Sequence, residues 1–439
     1  MPGVADHLTR TSQGDPGWLA LAPVRGVRYS PEAVGDLGMV TSPPYDLIDE
    51  EGVRRLMAAA PYNVVRLILP QRNARGGAER YERAAETLRR WLAEGVLAAD
   101  PAPALYVYEQ RSAQSVQRGL LGGVGLIPPE AGIVLPHEDV LPGPVADRLA
   151  LMRATAANLE PIFLMYEGGG PASELVDDVA DTRAPDRQVT TDDGVVHRLW
   201  PVTEGEWHGE VARDLRGRRA LIADGHHRYA TYLRLQAEHR AAGRGPGPWD
   251  YGLALLVDST RYPPRLGAIH RVIPGLDPAE AADRARRACR VTRVSDHLAE
   301  AMDALADAAR TGPAFLLAGD GGHELVADPD PIALAQAMPP DRSARWRRLA
   351  TAVLHAWLLP KIWGVEDPEA VRIVHHDPAE AVRTASRHRG TAVLLAPLAV
   401  GEVFALAAEG ERVPHKSTSF GPKPRTGLVL RTFAEDSRP

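Results

Sequence analysis

The stretch RRALIADGHHRYATYLRLQAEHRAAG, residues 218–243, constrains the fold more than any other. Residues 218–224 read as a buried strand with the apolar centre ALIA, and a single glycine separates them from a helical stretch that stops at Gly243. A buried strand that passes straight into a helix is the unit from which α/β folds are made. The expected class is therefore α/β.

The rest of the chain agrees with that class. NVVRLILP (63–70) and ALYVYEQ (104–110) read as strands on either side of the helix ERYERAAETLRRWLAEG (79–95). After Pro274 the composition shifts to Ala and Arg. Helical stretches (DPAEAADRARRAC, SDHLAEAMDALADAAR, RWRRLATAVLHAWLL) then alternate with short strands (AFLLA, VRIVHH, AVLLAP). The expected layout is a loose arm over 1–23, an α/β region over 24–274 that holds the site, and a second α/β module over 275–410. A loop and final strand over 411–439 return to the first region. A chain of 439 residues is too long for one ordinary core, which fits this division.

Charge and cysteine content exclude several classes. The formal net charge is -6, so the surface as a whole does not attract nucleic acid or an anionic membrane, and anionic ligands need local basic pockets. Cys289 is the only cysteine, which rules out an intrachain disulfide and a Cys-based zinc cluster. The opening residues have no apolar core of signal-peptide type, and no run approaches the roughly 18 apolar residues of a membrane span. A cytoplasmic location is expected, with a small molecule as partner and a homodimer as an open assembly state.

Four constellations carry chemistry. The first is Asp224-Gly225-His226-His227-Arg228 at the strand-to-helix junction. Helix N-termini present unpaired amides to anions, a guanidinium grips phosphate oxygens in pairs, and imidazoles donate further bonds. The plain alternative is Asp224 as a helix cap followed by a solvated turn. The second is Thr41-Ser42-Pro43-Pro44-Tyr45-Asp46, where two prolines fix a turn that presents Tyr45 and Asp46, unless Asp46 merely caps the helix from Glu50. The third is His137-Glu138-Asp139 with Arg148, Arg153 and Asn158 downstream, a source of a proton acceptor and of cations. The fourth is His415-Lys416-Ser417-Thr418-Ser419-Phe420, with Lys423 and Arg425 following. Its ammonium and hydroxyl groups imitate the tail of a P-loop without the glycines, or else form a basic surface loop. The adjacent histidines 226–227 and 375–376 point apart on either a helix or a strand and do not make a zinc site. Gly168-Gly169-Gly170 reads as a turn, and Cys289 as a packing residue on an Ala/Arg helix.

The run DGHHRYATYL resembles the glycine-His-Arg signature of the ParB/sulfiredoxin-like fold, in which a strand-to-helix turn grips nucleotide phosphates. That superfamily includes ParB CTPases and free-serine kinases that use ADP or ATP. More widely, TSPPYDLI, PYNVVRLILP, VLPHED, RLALMRATAANLEPIF, IHRVI and KSTSFGPKPRTGLV resemble a bacterial family filed as a domain of unknown function. In some genomes it neighbours serine-biosynthesis genes. The resemblance implies a ParB-like nucleotide-binding core with an additional α/β module, and a kinase moving a phosphoryl group between a nucleoside phosphate and a small hydroxyl compound. ATP or ADP is then the co-substrate, Mg²⁺ the metal, and L-serine the first candidate acceptor.

On this reading Gly225, His226, His227, Arg228, Lys416, Ser417 and Thr418 contact phosphate in one pocket. Ser42, Tyr45, His137, Arg148, Arg153 and Asn158 face the substrate. Glu138 is the first choice of proton acceptor and Asp46 the second, while Asp224, beside the phosphates, suits metal binding. A phosphatase of a phosphorylated amino acid, a ParB-like nucleotide switch and a non-catalytic binding protein stay open as alternatives.

Overall fold

A computed structural model describes residues 17–71, 77, 79–319, 321–367, 370–414 and 416–437. The chain divides into two compact units. The first comprises residues 1–136, 140–264 and 422–439, and the second residues 137–139 and 265–421. The crossing from the first unit to the second thus falls at Pro264, and Lys416–Thr418 belong to the second unit while the chain from Pro422 onward belongs to the first.

A nine-stranded mixed sheet organises the first unit. In chain order its strands are β1 (Leu21–Ala22), β2 (Leu105–Arg111), β3 (Val116–Gly125), β4 (Val134–Leu135), β5 (Ile162–Tyr166), β6 (Arg187–Thr190), β7 (Val196–Val202), β8 (Ala220–Asp224) and β9 (Tyr251–Asp258). The spatial order is β4-β8-β5-β9-β3-β2-β7-β6, with β1 added to β3. β8 runs parallel to β4 and antiparallel to β5, and β9 runs parallel to β5. β5 and β8 are buried along their whole length, as their continuous apolar sequences require. Its longer helices are α1 (Glu79–Ala93), α2 (Pro142–Thr155), α3 (Pro171–Thr182), α4 (Gly205–Leu215) and α5 (His226–Ala241).

The second unit carries an antiparallel six-stranded sheet of β10 (Ile269–Ile273), β11 (Cys289–Arg293), β12 (Phe315–Gly319), β13 (Gly322–Pro329), β14 (Arg372–His375) and β15 (Thr391–Leu394). Its order is β11-β13-β12-β15-β10-β14. Successive residues of β12 enter different cores: Leu316 packs with Val272 and Leu394, and Leu317 with Ile273 and Val393. That alternation is what a strand covered on both faces must show. Among the described residues no helix is long and apolar enough to cross a membrane.

Four local expectations are corrected. Leu19–Leu21 are buried and β1 pairs with β3, so order begins before Val24. The run 63–70 is a helical turn, Val65–Ile68, because the Asn63 carboxamide accepts from the Val65 amide at 2.9 Å and donates to Met39 and Thr41 carbonyls. Cys289 opens strand β11 after a helix that has ended at Ala285. The long helix expected after Ser343 breaks into Ala344–Arg347, Ala350–Val353 and a wide-wound π segment, Leu354–Ile362, that contains Pro360. Proline removes a helical donor, and a wider winding accommodates the break.

The DGHHR junction forms as a strand-to-helix turn. The β8–β5 register shifts between Ile222 and Asp224, a bulge that re-aims the strand end. Gly225 then takes φ 94° as the N-cap of α5. A Cβ there would meet the Ile162 Cγ2 at 2.8 Å, so both backbone angle and space demand glycine. Gly225→Ala is expected to cost about 1–3 kcal/mol of stability, and chemical denaturation of the two proteins checks it.

Candidate active site

Asp224 and Arg228 stand one helical turn apart around Gly225, and they bond to each other. Arg228 Nη2 donates to Asp224 Oδ2 at 2.6 Å, and Nη1 donates to the Pro161 carbonyl at 2.7 Å. Both residues are buried. The rigid PPYD turn supplies Asp46 within a short 3-10 turn, Tyr45–Leu47. The following helix, Glu50–Ala59, is capped by Asp49, whose carboxylate accepts from the Gly52 amide at 2.7 Å. Asp46 is therefore not spent as a cap. Lys423 places its ammonium 2.7 Å from Asp46 Oδ2 and 2.5 Å from Asp224 Oδ1. The loop that carries it is pinned by the Ser42–Thr426 bridge, in which each amide donates to the other residue's carbonyl, at 3.1 and 2.9 Å.

Behind this centre lies a carboxylate that local sequence patterns do not mark. Glu160 is buried; its Oε1 accepts from the Tyr45 amide at 3.0 Å and from the Thr426 hydroxyl at 3.4 Å, and its Oε2 is 3.9 Å from Arg148 Nη1. It thus ties the PPYD turn to the returning segment. A cavity of about 30 Å³, room for a water molecule, is lined by Glu160, Arg148, Arg228 and Asn158. The only sequence signal for Glu160 is an acid set in the apolar run LEPIFLMY.

The electrostatics follow from burial set against pairing. Burial pushes the Asp46 carboxyl up, but Lys423 and Arg228 outweigh it and hold the group below its ordinary value. Burial pulls the Lys423 ammonium down, and Asp224 and Asp46 more than restore it. For Glu160 burial prevails over Arg228 and Arg148, and its pKa is raised. The Tyr45 ring lies under the guanidiniums of Arg148, at 4.4 Å, and Arg228, at 5.8 Å, and burial pushes its phenol up to about 12. Asp46 is thus ionised and Tyr45 neutral at physiological pH.

Arg425, two residues after Lys423, differs from the other cations. Its Nε donates to the Thr41 hydroxyl at 3.1 Å and its Nη2 to the Thr41 carbonyl at 3.4 Å. Among the described residues no carboxylate lies within ion-pairing distance of it. Burial lowers its pKa, with Asp193 and Asp192 opposing at longer range. It is the cation of this region with charge to spare.

The remaining expected site residues have other partners. The His227 Nε2 accepts from the Leu141 amide at 3.0 Å, and His226 is buried in the first turn of α5. The Ser42 hydroxyl turns back to the Pro43 carbonyl at 2.9 Å. Arg148 donates to the Ile68 carbonyl at 2.7 Å and pairs with Asp147. Arg153 forms an exposed pair with Glu238, and the Asn158 carboxamide oxygen accepts from the Leu253 amide and from Arg431. In the second unit the Thr418 hydroxyl donates to Glu138 at 2.8 Å and lies 2.7 Å from His137 Nε2, while the Ser417 hydroxyl donates to the Pro414 carbonyl at 2.5 Å. The Lys416 carbonyl accepts from Arg271 at 2.9 Å. His415 lies outside the described residues. Of the C-terminal basic loop, the residue bonded to Asp224 is Lys423 rather than the KST segment.

Both Asp224 oxygens are ion-paired, and among the described residues no group of three or more His, Cys, Asp or Glu side chains is arranged to hold a metal ion. Between Asp46 and Asp224 the cation position is filled by an ammonium, so this donor set does not fit a resident Mg²⁺.

The family model described as "Protein of unknown function (DUF1015)" matches residues 21–351. The chain belongs to this family. No curated protein matches it. Among solved structures, the DUF1015 chain is similar to SbnI with C-terminal truncation from Staphylococcus aureus, at 12% identity over 73% of this chain and 90% of that one, with a TM-score of 0.37. It is similar to a free serine kinase in complex with AMP at 14% identity, over 69% and 90% of the two chains, with a TM-score of 0.35. A conserved hypothetical protein from Pyrococcus furiosus aligns at 14% identity, over 69% and 93%, with a TM-score of 0.34.

The shared ammonium gives the DUF1015 chain a defined acid response. Asp46, with its depressed pKa, contributes stability that is complete above the ordinary aspartate value of about 3.9 and is lost as pH falls through the lower native value. Lys423, with its raised pKa, contributes stability that is complete below the ordinary lysine value and lost only as pH rises through the raised one. In Lys423→Met, Asp46 and Asp224 lose their common cation. Acid destabilisation is expected to begin at higher pH than in the parent. Thermal unfolding followed from about pH 3 to pH 7 reads the shift, and an unmoved acid limb would assign the pair no role in stability.

Proposed function

We propose that the Asp224 junction is a phosphoryl-transfer site, in which a nucleoside phosphate donates to the hydroxyl of a small acceptor. The observation that carries this reading is the half-buried Arg425, a cation without a carboxylate partner, two positions from an ammonium that bridges Asp46 and Asp224. Phosphoryl transfer asks for cations to receive the moving group and for a nearby carboxylate to take the acceptor's proton. The sequence resemblance of DGHHR to ParB-like nucleotide-binding turns points the same way and supplies ATP or ADP as donor and L-serine as the first acceptor to try. A ParB-like core belongs to this proposal.

In the proposed reaction the acceptor oxygen attacks the terminal phosphorus, the bridging bond to the nucleotide breaks, and the acceptor's proton passes to a carboxylate. Asp46 takes that role at this site. It is ionised, is not committed to a helix cap and is 33% exposed at its side chain, whereas Asp224 is closed by two cations. A low pKa suits an acceptor that receives its proton late, as in a dissociative transfer where the nucleophile needs little activation. Arg425 and the first turn of α5 hold phosphate oxygens, and Lys423 is close enough to follow the charge as it moves from donor to acceptor. No step is assigned to Mg²⁺.

Two variants separate binding from chemistry. Arg425→Leu is expected to weaken nucleotide binding by about tenfold or more, since a lost charged hydrogen bond is worth roughly 1.5–3 kcal/mol; calorimetric titration with ADP and ATP measures it. Asp46→Asn is expected to bind nucleotide as the parent does and to lose turnover by roughly 10²–10⁴-fold. Phosphate transfer to L-serine and to a panel of other hydroxyl compounds supplies the assay. If Asp46→Asn turns over at the parental rate, Asp46 is not the proton acceptor; if neither ADP nor ATP binds the parent, the phosphotransfer reading fails.

A further inference from the structure

Strand β10 of the second unit carries a charge at a position where a covered sheet takes apolar residues. Arg271 is 0% exposed between buried neighbours His270 and Val272. Its Nη1 donates to the Ile269 carbonyl at 2.8 Å, and its Nη2 donates to the Lys416 carbonyl at 2.9 Å and lies 3.1 Å from His355 Nε2. Its Nε–H is buried without a partner. The other buried arginines of the described chain show what the fold does when such a group is purely structural. Arg148 pairs with Asp147, Arg228 with Asp224 and Arg431 with Asp436. Among the described residues, Arg271 is the buried arginine with no carboxylate at ion-pairing distance. Burial depresses its pKa to about 10, with only the more distant Glu138 opposing.

A buried ion without a counter-ion is among the costliest arrangements a core can hold, and the usual remedies are pairing or coordination. The partners of the Arg271 tip are acceptors, but the turn that supplies one of them, Lys416–Thr418, carries an ammonium and two hydroxyls, groups that bind oxyanions. Lys416 sits at φ 58°, a left-handed angle that non-glycine residues adopt mainly where surrounding structure imposes it. His355 belongs to the wide-wound segment Leu354–Ile362, a winding that collects at functional positions. Thr418, two residues beyond Lys416, joins its hydroxyl to Glu138 and His137. Lys416, Thr418, Glu138 and His355 are all half-buried, so the wall of the cluster is reached by solvent while Arg271 lies beneath it.

We propose that Arg271, His355 and the Lys416–Thr418 turn form an anion site in the second unit, and that it takes the phosphate group of a small molecule, whose charge stands in for the missing carboxylate. The guanidinium Nε–H is the donor that such a group would meet at Arg271, with the Lys416 ammonium the nearest further cation in sequence on the turn; His355 Nε2 accepts from Arg271 and holds the guanidinium in place. This site is independent of the Asp46–Lys423 centre and of the reaction proposed there.

The test is a calorimetric titration of the full chain with inorganic phosphate at low ionic strength, in the parent, in Arg271→Met and in Arg425→Leu, which removes the phosphate-holding cation proposed for the first unit. The expected result is a saturable phosphate isotherm that persists in Arg425→Leu and weakens by about tenfold or more in Arg271→Met. Because Arg271→Met removes an unpaired charge, its melting temperature without phosphate is expected to equal or exceed that of the parent, and phosphate no longer raises it. Should Arg271→Met fail to fold, Arg271→Lys keeps the charge and loses the fork of donors, and it is expected to bind phosphate more weakly than the parent. A parallel titration with acetate sets a carboxylate against a phosphate; phosphate is expected to bind more tightly. Phosphate binding that is equal in the Arg271 variants and the parent overturns the proposal. So does the absence of any phosphate isotherm in the parent, or acetate binding the more tightly.

Discussion

The ammonium of Lys423, held between Asp46 and Asp224, is the contact on which the first unit's site depends. Two partly buried carboxylates brought together repel each other and favour protonation, and a cation between them reverses both effects. Arg228 completes the set from the opposite side of Asp224, and Glu160 anchors the turn that carries Asp46. The consequence is a partly buried cluster of charged side chains, with one further cation, Arg425, that has no carboxylate at ion-pairing distance among the described residues. On the proposed reading, an anion that docks at Arg425 meets its cation without first breaking an ion pair.

Much of the fold was legible in the sequence, and the physical reason is periodicity. The run ALIAD is buried on both faces and is therefore apolar up to its last residue, Asp224, and α5 follows it after one glycine, so that junction reads directly. The run 63–70 did not read correctly because its apolar residues fit a buried strand as well as a buried turn. The deciding interaction, the Asn63 carboxamide with the Val65 amide, is one hydrogen bond. The site was legible in its parts. Asp46, Asp224 and Arg228 stand out from local chemistry. Lys423 stands out only as part of a basic loop, because pairing across 377 positions leaves no local mark. Glu160 escapes notice since a single acid within an apolar run says nothing of what it binds.

The second unit shows a different economy. The hydroxyl of Thr418, expected beside phosphate, and the imidazole of His137, expected to face the substrate, form a hydrogen-bonded chain with Glu138. Arg271 attracts no attention in the sequence, where IHRVI reads as an ordinary strand. What only a folded structure displays is that, among the described residues, no acid stands at ion-pairing distance from it.

The distance along the chain between the partners of Lys423 has a consequence for how the protein is made. Synthesis is vectorial, so Asp46 and later Asp224 emerge long before the lysine that neutralises both. Until residue 423 is added, the strand end at β8 has Arg228 alone to balance two acids, and the bridge that fixes Ser42 to Thr426 does not exist. The large sheet can close around its apolar strands during that interval, but its charged centre matures last. A polypeptide cut short before Lys423 would therefore have a nearly complete core and an Asp46–Asp224 pair without its shared cation.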